Sequence, residues 1–135
     1  MNFIEEHDVD TDRVEALFKQ AYYSVSRDED DDLVVSDELS VYVMVQESSK
    51  RIRYMAPIHV NEDAERAEKL EVVNRINDEY TFCRVYLPSD RQDMIGADLE
   101  LTFEGGIIPL HVISLFRKFV SSVTHSLLEH GEGIT

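Results

Sequence analysis

Between residues 95 and 128 the hydrophobic pattern switches from a strand period to a helix period, and the rest of the chain is organised around that stretch. Ile95, Ala97, Leu99, Leu101 and Phe103 alternate with Gly96, Asp98, Glu100, Thr102 and Glu104, which predicts a strand with one buried and one wet face. Gly105-Gly106 breaks the alternation, and Pro109 suits the first turn of a helix, where its missing N–H is no loss. Beyond it Ile113, Phe116, Val120, Val123 and Leu127 recur at helical spacing. A strand therefore feeds a long apolar helix through a glycine elbow.

Upstream, Asp10-Thr11-Asp12 offers helix-start residues, and Val14, Leu17, Phe18, Ala21 and Tyr22 stripe a first amphipathic helix. Tyr22 to Val25 leaves it as a short extended piece, and the five acids Asp28 to Asp32 repel one another into a solvated turn. Leu33 to Val35, Leu39 to Gln46 and Arg51 to Ile58 predict three hairpin-linked strands. Pro57 cannot donate to a ladder, so the third of these lies at an edge or ends there. Asn61 is a candidate N-cap for a second helix striped by Ala67, Leu70, Val73, Ile76 and Tyr80. Phe82 to Leu87 alternates as another strand, and the tail from Gly131 is expected to fray. The order α-β-β-β-α-β-β-α, with a possible extra short strand after the first helix, predicts an α+β fold. Helices pack on a single antiparallel sheet, in one domain over residues 1–135.

A hydrophobic fraction of 43% in 135 residues is enough for a real core and too high for a disordered chain. The net charge of -15 argues against nucleic acid or an anionic membrane as partner and leaves a basic one open. The single Cys83 excludes an internal disulfide and points to a reducing cytoplasm. No stretch reads as a signal peptide or as a membrane span.

Candidate chemistry is sparse. Asp8, Asp10 and Asp12 have the spacing of a calcium loop, but Arg13 and Lys19 stand where glycine and a bidentate glutamate belong. Asp28, Asp30 and Asp32 fail the same test at Leu33 and Leu39. The histidines, His7, His59, His111, His125 and His130, make no zinc-protease pair, so neither a metal site nor a cofactor motif is expected. Cys83 reads as a small buried hydrophobe. An anion on the Gly105-Gly106 amides would be repelled by Glu100 and Glu104. Asn74 and Asn77, poor mid-helix residues beside an apolar stripe, are expected to make amide hydrogen bonds to a neighbouring strand or loop, or to cap their own helix. Val112, Leu115 and Phe119 form a second apolar band on the last helix, which predicts a surface shared with a second copy or a client segment, or else a helix lying deep across the sheet.

The runs Val72-Val73-Asn74-Arg75-Ile76-Asn77, Phe82 to Leu87, Asp98 to Leu101 and Glu104-Gly105-Gly106 resemble the YbjN family of bacterial sensory transduction regulators. The resemblance covers the C-terminal half in motif and the whole chain in element order. It implies a fold similar to the class I type III secretion chaperones, which are small, acidic, dimeric cytoplasmic proteins without catalytic residues. Asn74, Asn77, Glu104, Gly105 and Gly106 are then signature positions with a structural role. The expectation is a non-enzymatic protein-binding module, regulatory or chaperone-like, cytoplasmic and homodimeric. It would take its partner by strand addition or in a groove. The competing expectation is a small-molecule or metal-ion sensor, sited at Asp28 to Asp32 or beside Asn74 and Asn77. A halophilic origin would also account for the acid excess.

Overall fold

In the computed structural model, which describes residues 3–135, six strands form one antiparallel sheet and three helices pack against it. The elements run α1 (Thr11–Gln20), β1 (Ser24–Arg27), β2 (Leu33–Ser36), β3 (Ser40–Gln46), β4 (Arg51–His59), α2 (Arg66–Glu79), β5 (Arg84–Tyr86), β6 (Met94–Thr102) and α3 (Pro109–His130), with a short 3-10 turn at Glu6–Asp8. The strand order is β1-β2-β3-β4-β6-β5. Alternation fixes which face is covered. Leu33 and Val35, Val41 and Val43, Ile52, Tyr54, Ala56 and Ile58, and Ile95 and Ala97 are all buried in one cluster with Val14, Phe18, Val73, Ile76 and the inner side of α3. Among the described residues, no helix lies on the opposite face. Phe18, Tyr23, Tyr54, Phe116 and Phe119 meet edge-on or tilted at the centre of the core, and the Tyr54 hydroxyl donates to the Val112 carbonyl (2.8 Å), fastening α3 to β4.

The expected element order holds, with the extra strand after the first helix present as β1. Several local expectations change. Asp10 caps α1 by accepting from the Arg13 amide (2.8 Å), but α1 stops at Gln20 and Tyr22 takes φ 67, so its side chain turns out to 96% exposure. Tyr23 fills the aromatic place expected for Tyr22. Asn61 caps a turn, accepting from the Asp63 amide (3.0 Å), while α2 begins later, after Glu65. The buried stripe of α2 is Lys69, Val73 and Ile76, and Leu70 is 47% exposed. The Lys69 ammonium donates to the Gln92 carbonyl at 2.5 Å and so ties down the loop before β6. Pro57 lies in a central strand, just past the last β3 partner Met55, so its missing N–H interrupts no ladder. The tail is docked: Ile134 is 1% exposed and its carbonyl accepts from the Asn61 amide.

Candidate functional site

β6, which with β4 is one of the two nine-residue strands, is covered along only part of its outer edge. β5 supplies three partners, Arg84 opposite Asp98, Val85 opposite Ala97 and Tyr86 opposite Gly96, and then ends. The Phe103 amide donates to the Lys50 carbonyl (2.9 Å), so odd-numbered residues of β6 bond toward β4, and even-numbered ones turn their N–H and C=O outward. Gly96 and Asp98 meet β5. Among the described residues, no strand lies beside the outward groups of Glu100 and Thr102. Sequence patterning foresaw a strand from Phe82 to Leu87 that would have covered more of this edge. It is only Arg84–Tyr86, because the chain bends at Phe82 and Cys83 and the ladder does not extend to them.

The outer edge of β5 itself is closed by a side chain. The Asn77 amide donates to the Val85 carbonyl (2.8 Å) and accepts from the Val85 amide (2.9 Å), copying the two bonds of a neighbouring strand. Asn74, one turn earlier, is exposed. The structure thus separates the asparagine pair: one completes the sheet and the other faces solvent.

Below the end of β5, Thr81, Phe82, Cys83 and Arg84 face Asp98, Leu99 and Glu100 across a recess of about 530 Å³. On the helix side, Leu101, His111, Ser114, Leu115 and Lys118 line a smaller recess of about 250 Å³. The free length of β6 runs between the two. Burial pushes the Cys83 thiol up to about 11, so it is an unreactive lining group.

On the uncovered face the wet side expected at Asp98 is closed. Asp98 is 6% exposed and accepts from Arg84 Nε (2.9 Å) and Nη2 (2.7 Å) and from Arg53 Nη2 (2.7 Å). Burial raises its pKa, but the hydrogen bonds from Arg84 and Arg53 outweigh this and hold the carboxyl below the usual range. Tyr86 lies flat on Gly96, where an added Cβ would fall 2.3 Å from the ring, and the Arg84 guanidinium stacks 4.6 Å above the Tyr86 ring. Nothing in the residue pattern marked this cluster beforehand except a glycine in mid-strand, which signals a close approach.

The Glu104-Gly105-Gly106 elbow joins β6 to α3. Gly105 (φ 84) and Gly106 (φ 103) occupy the left-handed region, and the Ile4 and Ile107 amides exchange hydrogen bonds of 2.9 Å across the elbow. The Gly105 amide donates to Glu6 (2.8 Å), whose other oxygen holds Lys50, so this elbow amide already has a carboxylate partner within the chain. Of the second apolar band on α3, Val112 and Phe119 are 0% exposed and belong to the core. A 22-residue helix lying across the sheet buries a broad arc, which absorbs both stripes. Only Leu115 reaches the surface, half-buried at the free edge.

The remaining candidates have local explanations. Asp28 Oδ1 accepts from the Asp30 and Asp32 amides, so the acidic run is a self-bonded turn. Ser121 Oγ and His125 Nδ1 lie 3.2 Å apart, but Nδ1 also lies 2.9 Å from the Ser121 carbonyl. Both contacts are with the residue one turn earlier on the same helix. Glu79, Glu129 and His130 bring one potential ligand atom each within 4.8 Å at the ends of α2 and α3. The sequence did not suggest this grouping, because Glu79 lies 51 residues from His130, to which it is bonded at 2.6 Å. Among the described residues, no helix is long and apolar enough to cross a membrane.

Three helices on one face of a six-stranded antiparallel sheet define a type III secretion chaperone-like α+β fold. The Yersinia pestis chaperone SycH, solved in complex with a stable fragment of YscM2, superposes with a TM-score of 0.55 at 13% identity, covering 84% of this chain and 97% of SycH. The crystal structure of YbjN from E. coli superposes at 0.76 with 12% identity, covering 92% of this chain and 93% of that one. The family model described as "Putative bacterial sensory transduction regulator" matches residues 10–126, and the chain belongs to that family, YbjN. No curated protein matches it in sequence. These findings bear out the expected family and the expected fold.

Proposed function

We infer that the chain is a non-enzymatic protein-binding module, regulatory or chaperone-like, working in the cytoplasm as a homodimer. One observation carries the reading: the outer edge of β6 from Leu99 to Thr102 is left without a strand, between two recesses, while the edge of the neighbouring β5 is closed by Asn77. Open ladder groups invite pairing, and folds that do not use an edge cover or blunt it. SycH, of similar fold, is solved with a bound protein fragment, which supports the same use here. With Val112 and Phe119 in the core, the apolar surface for self-association passes to the outer line of α3, where Leu110 is 68% and Leu128 77% exposed.

Light scattering on the untagged protein over a range of concentrations tests the homodimer, with Leu110→Asp as the probe variant. A dimer that this substitution converts to a folded monomer is expected. A wild-type monomer at every concentration removes the homodimer, and heat released on mixing with common metabolites or divalent ions moves the reading to a sensor.

A further inference from the structure

We propose that the free edge of β6, from Leu99 to Thr102, receives a short extended segment of a partner as a seventh strand, and that the segment alternates apolar with basic residues. The proposal rests on the protein-binding reading above and names its site and its ligand chemistry. The backbone decides the mode. Glu100 and Thr102 each turn an N–H and a C=O outward beside no strand, and an extended chain is the partner that satisfies both pairs at strand spacing.

The side chains decide the sequence. One face of an added strand would look toward Leu101 and Leu115, both half-buried and bordering the helix-side recess, which suits apolar residues. Its other face would lie beside Glu100 and Thr102, and a basic residue there stands next to the Glu100 carboxylate, which now reaches Arg51 at 2.9 Å. A net charge of -15 draws such a segment in and repels acidic ones.

A second copy fits the same edge poorly. Antiparallel self-pairing centred on Glu100 sets two glutamates opposite each other and drives the second copy's Thr102 into the place Arg84 holds opposite Asp98. Centring on Leu101 leaves about three paired residues per chain, far below the roughly 1,600 Å² of a standard interface. A client segment needs no such area from a single strand.

The test uses the whole protein and a fluorescein-labelled peptide of alternating lysine and valine, with a peptide of the same composition in two blocks as control. Glu100→Pro removes the outward N–H without touching the β4 ladder, because the Glu100 backbone faces away from β4; Glu100→Gln keeps the N–H and removes the charge. Fluorescence anisotropy is expected to show tighter binding of the alternating peptide than the block peptide. Its affinity should fall about tenfold or more in Glu100→Pro and about threefold in Glu100→Gln, with thermal melts showing both variants folded. Equal affinity for the two peptides, or undiminished binding by folded Glu100→Pro, overturns the edge as the site. Light scattering that shows Glu100→Pro dissociating a wild-type dimer overturns it in favour of a second copy and leaves the homodimer reading intact. Should Glu100→Pro not fold, protection of the Glu100 and Thr102 amides from hydrogen exchange by the alternating peptide decides, and its absence overturns the proposal.

Discussion

The two asparagines of α2 look alike in sequence, yet alanine should move the protein in opposite directions at each. At Asn77 the substitution removes two hydrogen bonds, to the Val85 carbonyl at 2.8 Å and from the Val85 amide at 2.9 Å, and Val85 is 3% exposed. Each such bond contributes about 1 kcal/mol net. Alanine recovers about 0.6 kcal/mol of helix propensity, so Asn77→Ala should cost about 1.5 kcal/mol and lower Tm by about 5 °C. At Asn74 the side chain is exposed, so only the propensity gain applies, and Asn74→Ala should raise stability by about 0.5 kcal/mol. Thermal melts read the two signs. Amide exchange adds a local readout: the Val85 amide should lose protection in Asn77→Ala and keep it in Asn74→Ala. Equal melting shifts for both variants, or a Val85 amide unaffected by Asn77→Ala, would refute the view that this side chain closes the sheet.

The elbow and the buried aspartate give two further tests. Gly106→Ala should destabilise by about 2–3 kcal/mol, because the added Cβ would lie 2.8 Å from the Ile4 carbonyl on top of a φ of 103. Gly105→Ala, with φ 84 and open space around it, should cost about 1 kcal/mol, and comparable melts for the two would discredit the N-terminal docking. Asp98 has its folded pKa held down by Arg84 and Arg53 against the effect of burial, so its contribution is full above the ordinary aspartate value of about 3.9 and is lost as pH falls through the lower folded value. Denaturant melts at successive pH values should therefore show wild type losing stability below about pH 4 more steeply than Asp98→Asn, and parallel acid limbs would contradict the arginine clamp.

The fold was legible because period dominates it. The alternation from Ile95 to Phe103 and the stripe from Ile113 to Leu127 each describe one element and its inward face, and both lie where expected. Misreadings arose where the inward position holds a residue of the wrong apparent type. Lys69 buries its stem and bonds a loop carbonyl, which rotates the apparent stripe of α2 onto Leu70. Tyr22 sits two residues past the end of α1 in the left-handed region, so Tyr23 points inward instead. The candidate edge was not legible at all. It exists because β5 stops after three residues, and the bend at Phe82 and Cys83 that stops it left no mark in the alternation.

Apart from Glu100, the acids of the chain lie away from the edge. Within the six strands only Asp98 and Glu100 are acidic, and both are held by arginines, Asp98 by Arg53 and Arg84 and Glu100 by Arg51. The other acids lie on helices, turns and loops, around the sheet and not across it. A field from that rim acts over about 8 Å at physiological salt and raises the encounter rate of basic chains without discriminating among them. Discrimination falls to the few outward amides and carbonyls of β6 and to the apolar seat at Leu101 and Leu115. Attraction and selection are thus carried by separate sets of residues, so substitutions in the acidic rim should change how fast a segment arrives, while substitutions along β6 change whether it stays.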